Sequence, residues 1–298
     1  MELPIEVIPS EEKPKDKRLE KMKYKESLPP HPANISILGR CGSGKSCCLY
    51  SMLKNGYITD KGRSCFDEIV IYLGTLDAVD AFKKIPCENI IVLHEFDPDS
   101  FEQYLNDLKE HQMERLNKGK TLLNTAIVFD DFVGMALMKS VRGKSSPLER
   151  LMLTSRHECN MSVFFCSQTY KNNGFSTPTV RNNITHWLIY GMGRNEMEKI
   201  ANEHCGDMTE DEFMDWYFDC MRKKHNFIMI NYKKPVEERY TEKFTSIFRP
   251  KRLEQNSLLS IRDAPTEETT TPGSSENDAV RPAKEPEAGR KRKDKGTA

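Results

Sequence analysis

Ile35-Ser36-Ile37-Leu38-Gly39-Arg40-Cys41-Gly42-Ser43-Gly44-Lys45-Ser46 carries the pattern GxxxxGK[ST] directly after a short apolar run and directly before a helical one, Cys47 to Leu53. That setting separates a phosphate-binding loop from an ordinary glycine-rich turn. Glycines at 39, 42 and 44 let the main chain turn tightly and aim its N–H groups at phosphate oxygens, and a helix opening near Lys45 adds the positive end of its dipole. On this reading Gly39, Arg40, Cys41, Gly42, Ser43, Gly44, Lys45, Ser46 and Cys47 form the cradle for a nucleotide, ATP. Lys45 reaches its β- and γ-phosphates, and the Ser46 hydroxyl is a ligand for Mg2+.

Outward from the loop, apolar runs alternate with helical patterns. The expected strands are Asn34 to Leu38, Glu68 to Leu73, Asn89 to Leu93, Ala126 to Asp130, Ser162 to Cys166, Ile184 to Tyr190 and Asn226 to Asn231. Runs with so little polar alternation are buried on both faces, as in a parallel sheet. Capping boxes open the helices between them: Ser100 with Gln103, Ser146 with Glu149 behind Pro147, and Thr209 with Glu212 before a face of Phe213, Trp216 and Tyr217. The pattern predicts an α/β chain with a three-layer P-loop NTPase fold, a mainly parallel central sheet and helices on both faces.

The run Thr125-Ala126-Ile127-Val128-Phe129-Asp130-Asp131 ends in two carboxylates. Asp130 is read as the second magnesium-site residue, beside Ser46, and Asp131 as the base that polarises the attacking water. The next run ends at Gln168, which is read as sensing the γ-phosphate or orienting the water. Arg156 and Arg181 precede later strands and are candidates to meet the nucleotide of a neighbouring subunit. His157 and His186 have no ligands at metal spacing and are read as packing residues.

Over 298 residues the formal charge is +0 with 30% charged residues, which excludes a bulk cationic field for DNA and leaves local or ring-repeated contacts. No apolar run is long enough to span a bilayer and no signal-peptide stretch opens the chain, so an intracellular protein without membrane insertion is expected. The nine cysteines form no CxxC pair and read as reduced thiols. Residues 1–30 read as a charged flexible arm, 31–248 as the P-loop ATPase domain, and 249–298 as a disordered Pro/Ser/Thr/Glu-rich tail ending in a basic cluster, Arg290 to Lys293. Lys139, Arg142 and Lys144 form a candidate loop for DNA phosphates.

The motifs GRCGSGKS, IVFDD, Ser155-Arg156-His157 followed by MSVFFCSQ, and Val180-Arg181-Asn182-Asn183 together resemble the poxvirus-type genome-packaging ATPases of the FtsK–HerA superfamily, which occur in large DNA viruses, virophages and Maverick-type elements. The resemblance implies an oligomeric, ring-forming ATPase that drives double-stranded DNA into a preformed capsid, working in host cytoplasm or nucleus where virions assemble. It carries the magnesium-site Asp to Asp130 and the sensing Gln to Gln168, and leaves open whether Arg156 or Arg181 acts in trans. Many members of the superfamily have Glu where this chain has the shorter Asp131. Rival readings are a replicative helicase, a small-molecule kinase or GTPase, and a nucleotide switch in assembly. No Asn/Thr-Lys-x-Asp run for guanine is found.

Overall fold

The structure, a computed structural model, describes residues 14, 16–74, 79–131, 137, 145–171 and 177–248. All of them lie in one compact unit, Met1–Asn256. The candidate DNA loop of Lys139, Arg142 and Lys144, and the tail from 249 with its basic cluster, fall outside the described residues.

Nine strands form one sheet: β1 (Asn34–Leu38), β2 (Glu68–Leu73), β3 (Asn89–Leu93), β4 (Thr125–Asp130), β5 (Met161–Ser167), β6 (His186–Ile189), β7 (Ile228–Asn231), β8 (Tyr240–Glu242) and β9 (Ser246–Ile247), in the order β3-β2-β4-β5-β1-β6-β7-β8-β9. Every pair from β3 to β6 is parallel, and β7, β8 and β9 add an antiparallel extension. The expected strands are therefore all present, with ends moved by one or two residues. β3 departs from the expectation of burial on both faces, because it is the edge of the sheet and only half-covered.

Burial on two faces follows from the period-two geometry of a strand. Ile127 and Phe129 of β4, Val163 and Phe165 of β5, and Trp187 and Ile189 of β6 enter one core. Their alternates Ala126, Val128, Phe164, Cys166 and Leu188 enter the other. The first core is roofed by α4 (Pro98–Asn117), α5 (Pro147–Thr154), α6 (Pro178–Asn182), α7 (Arg194–His204) and α8 (Glu210–Met221) through Phe101, Leu151, Val180, Ile200 and Phe213. The second is covered by α2 (Lys45–Ser51), a π-helical turn, Met52–Gly56, and α3 (Val79–Phe82) through Leu49, Leu53 and Phe82. The three-layer expectation is met.

Both capping boxes at Ser146–Glu149 and Thr209–Glu212 close as expected. The third does not: α4 starts three residues earlier, with Asp97 accepting from the Ser100 N–H and Pro98 in the first turn, while Gln103 donates to Asp107 instead. An aspartate ahead of proline outcompetes a serine inside the turn. The segment 16–30, expected to be an arm, is pinned to the domain. Arg18, in the short helix α1 (Lys17–Glu20), bridges Asp16 and Asp67, and Met22 and Leu28 are buried in the second core. Scattered apolar residues without a period hid this packing.

Two buried histidines make the fold sensitive to acid. Burial drives His186 down to about 3 and His204 to about 4 from 6.5, and the hydroxyls of Tyr170 and Tyr232 bracket the two ring nitrogens of His204. Each ring binds fewer protons folded than unfolded, so its contribution is intact above about pH 6.5 and is lost as pH falls towards 4. The expected loss between pH 7 and pH 4 is on the order of 3 kcal/mol per ring. Urea unfolding at pH 7 and pH 5 checks this: a midpoint that does not fall, or a His204→Gln slope equal to wild type, contradicts it.

Candidate nucleotide site

Parallel strands bring their carboxyl ends to one edge, and in this order β5 stands between β4 and β1. Leu38 is level with Ser167, and Asp130 with Cys166. The loop leaving β1 is tied to both neighbours: Gly39 N–H donates to the Ser167 carbonyl at 3.1 Å and Arg40 N–H to the Gly191 carbonyl at 3.2 Å. A Cβ at position 39 would stand 2.6 Å from both Ser43 Oγ and Tyr190 Cβ, so only glycine fits. Gly44 has φ +104°, a left-handed conformation that lets it cap α2 without a side chain.

Asp130 and the phosphate loop lie on strands two places apart, roughly 10 Å by the usual strand spacing. The first turn of α2 closes that gap, and Ser46 Oγ donates to Asp130 Oδ1 at 3.0 Å. Lys45, 4% exposed, folds back so that its ammonium donates to the carbonyls of Gly39 at 2.9 Å and Arg40 at 3.2 Å, and lies 4.0 Å from Asp131 Oδ1. Asp131 itself has φ +47°, a left-handed turn that ends β4 and swings its carboxylate over the loop.

Burial pushes the Asp130 carboxyl above its ordinary range, against the Ser46 hydroxyl bond that favours its charge, and the neighbouring Asp131 charge adds to the rise. Its partner across the sheet, the buried Cys166 thiol, is pushed well up by burial and by Asp130. A hydroxyl and a buried carboxylate 3.0 Å apart are hard oxygen donors of the kind that suit Mg2+, which takes one or two such groups and shares the rest with phosphate. Among the described residues no three His, Cys, Asp or Glu side chains are grouped to hold a metal alone.

A cleft of about 610 Å³ opens over the loop, walled by Ser46, Asp131, Tyr190 and His225. Gln168 follows the β5 end that holds Gly39, and its side chain is exposed at that same edge. Cys41 and Cys47 are exposed on the loop and its helix. Tyr190 and His225 are walls the sequence did not single out. Tyr190 closes an apolar run at the carboxyl edge of the sheet, which is a place to look for ligand contacts. His225 has no such mark: it lies in a turn before β7 at φ +54°, with Nδ1 3.2 Å from the Ser43 carbonyl.

Arg156 and Arg181 stand away from this cleft. Both precede strands, and their neighbours Ser155 and Asn183 bond to Asn34, the first residue of β1, through Ser155 Oγ to Asn34 Oδ1 at 2.9 Å and Asn34 Nδ2 to the Asn183 carbonyl at 3.0 Å. Within one subunit they therefore lie at the amino edge of the sheet. Arg181, 11% exposed, is paired with Glu203 at 2.8 Å; Arg156 is half-buried, and its Nε has no hydrogen-bond partner among the described residues. His186 is buried, with Nδ1 2.8 Å from Thr185 Oγ1.

The loop, the strand inserted between β1 and β4, and the Ser46–Asp130 contact define the class: a P-loop nucleoside triphosphatase. Within that class the chain belongs to the Poxvirus A32 protein family, whose model matches residues 20–230. This is the kinship that the sequence motifs implied. No curated protein matches the sequence. Among solved structures it is similar to B204, the DNA-packaging ATPase from Sulfolobus Turreted Icosahedral Virus, at 15% identity over 73% of this chain and 100% of that one, TM-score 0.49. It is also similar to B204 of Sulfolobus turreted icosahedral virus 2 in complex with AMPPCP, at 15% identity over 69% and 98%, TM-score 0.44. A third is the pCW3 conjugation coupling protein TcpA with ATPγS, at 15% identity over 86% and 75%, TM-score 0.47. No helix among the described residues is long and apolar enough to cross a membrane.

Proposed function

We propose that this chain is an ATP-hydrolysing motor that moves double-stranded DNA, packaging a viral genome into a preformed capsid. The Ser46–Asp130 contact carries the ATPase part, because it joins the phosphate loop and the strand-end carboxylate at one cleft. Membership of the Poxvirus A32 protein family supports the packaging part.

In this reading the loop amides and Lys45 hold the β- and γ-phosphates, exchanging the Gly39 and Arg40 carbonyls for phosphate oxygens at the ammonium. Ser46 and Asp130 would hold Mg2+, and that ion would supply charge neutralisation at the phosphates. The Asp131 carboxylate, facing the same cleft, accepts the proton of the attacking water. Gln168 hydrogen-bonds the water or the γ-phosphate from the end of β5. Arg156 or Arg181 serves a neighbour's nucleotide, since the amino edge that bears them can face another subunit's cleft in a ring built head to tail. Arg181 must leave Glu203 to do so, whereas Arg156 Nε has no hydrogen bond among the described residues to give up. DNA contacts are local and multiplied by the ring, as the balanced charge requires. The capsid is the partner at the site of virus assembly, in cytoplasm or nucleus.

Turnover measured with duplex DNA, with single-stranded DNA and without DNA tests this. Several-fold stimulation by duplex alone is expected. Stimulation by single strands with unwinding marks a helicase, and a rate indifferent to both removes the DNA motor.

A further inference from the structure

His225 takes no part in the chemistry described above, yet its backbone is held where few side chains go. At φ +54° it occupies the left-handed region, which is uncommon for a residue with a Cβ and worth a functional question. The turn that carries it is fastened on both sides. Asn226, 2% exposed, donates its amide to the Cys220 carbonyl and to Glu242 Oε1, both at 2.8 Å, and the Phe227 ring packs 5.0 Å from that of Tyr190. Tyr190 and His225 then flank one loop residue: Tyr190 Cε1 stands 3.7 Å, and His225 Nδ1 3.5 Å, from where a Cβ on Gly44 would be.

From this turn, 182 residues along the chain from the loop, His225 Nδ1 reaches the Ser43 carbonyl at 3.2 Å. A carbonyl oxygen only accepts, so Nδ1 carries a proton in this contact. The Ser43–Gly44 peptide is trans, and a trans peptide points its C=O and its N–H to opposite sides. Fixing the Ser43 carbonyl on His225 therefore fixes the Gly44 N–H on the other side. Gly42 at φ +72° and Gly44 at φ +104° are left-handed and Ser43 between them is not, an alternation whose amides converge on an anion. A flip of this one peptide would replace a donor by a carbonyl oxygen and repel a phosphate.

We propose that His225 is a positioning residue for phosphate binding: its Nδ1–H holds the Ser43 carbonyl outward, so that the Gly44 N–H stays turned towards the polyphosphate. The proposal rests on the phosphate-loop reading and adds to it a residue from outside the loop. The ring itself need not touch phosphate. It keeps a peptide flanked by glycine, the residue with the widest choice of backbone conformations, in its binding-competent orientation. A donor oriented before the ligand arrives has less freedom to lose on binding.

Two substitutions that both suit a left-handed backbone separate this role from that of a turn former. Asparagine places its side-chain NH2 where Nδ1 stands in histidine and keeps the donor, whereas glycine has the same backbone freedom and no donor. Binding of inorganic tripolyphosphate with Mg2+ to the full chain is measured by titration calorimetry, so that no contact to a base or ribose enters. His225→Gly is expected to weaken binding about tenfold, the weight of one hydrogen bond, and His225→Asn to stay within about twofold of wild type. The calorimetric stoichiometry counts only folded molecules, so a loss of folded protein does not pass for a loss of affinity. Equal affinities for the two variants, at the wild-type level or below it, overturn the proposal while leaving the phosphate-loop reading intact. A wild-type chain that binds no tripolyphosphate removes both.

Discussion

Lys45→Ala is expected to lower ATP turnover on the order of 1000-fold while leaving the fold intact. Lys45 is 4% exposed, and its ammonium is held by two loop carbonyls beside the cleft proposed to take the phosphates. Charge that develops on a transferred phosphoryl group is stabilised by a cationic donor held beside it, and removal of one such donor costs about 100- to 1000-fold in comparable sites. Stability should change little, because the Lys45 side chain itself lines the open cleft, so water can take its place at the Gly39 and Arg40 carbonyls. Steady-state turnover together with a thermal melt separates the two effects. Wild-type turnover in a folded Lys45→Ala protein contradicts the proposed role.

Asp130→Asn is expected to move activity and stability in opposite directions. The carboxylate is 5% exposed, and burial disfavours its charge more than the Ser46 hydroxyl and Lys45 support it. Asparagine keeps an acceptor for Ser46 Oγ and discards the buried charge. Without nucleotide the variant should therefore be more stable, on the order of 1 kcal/mol. Turnover should fall at least about 100-fold, since the remaining amide is a poor partner for a hard dication. The same charge that weakens the empty fold is the one the proposed chemistry uses, a common compromise at functional sites. A melt without nucleotide and an ATPase assay decide it; a destabilised or fully active variant contradicts the account.

The parts of this site that were legible in the sequence are those fixed by local rules. Val163 and Phe164 can point into two different cores only if both faces of β5 are covered, so the strands read as unbroken apolar runs. The spacing around Gly39, Gly44, Lys45 and Ser46 is short-range geometry, and the paired carboxylates at 130 and 131 end a run that is plainly a strand. The strand order could not be read, and with it the fact that α2 carries Ser46 across β5 to Asp130. The antiparallel addition of β8 and β9 was missed because strands of three and two residues leave no period. His225 comes to the cleft from a distant turn, through packing that no spacing rule encodes.

The motif Ser155-Arg156-His157 shows a different limit. It reads as a cluster of chemistry, yet Ser155 and Asn183 meet at the buried Asn34 and lock the amino edge of β1. Part of what makes the motif distinctive is therefore structural. The clamp also places Arg156 and Arg181 on a common edge, the one that faces a neighbour in the proposed ring.

The most direct test is the position of a manganese ion in crystals grown with a non-hydrolysable ATP analogue. The account predicts one anomalous peak within bonding reach of Ser46 Oγ, close to the Asp130 carboxylate, with the triphosphate wrapped by residues 39–47. A nucleotide bound elsewhere, or a metal that touches neither side chain, would contradict it.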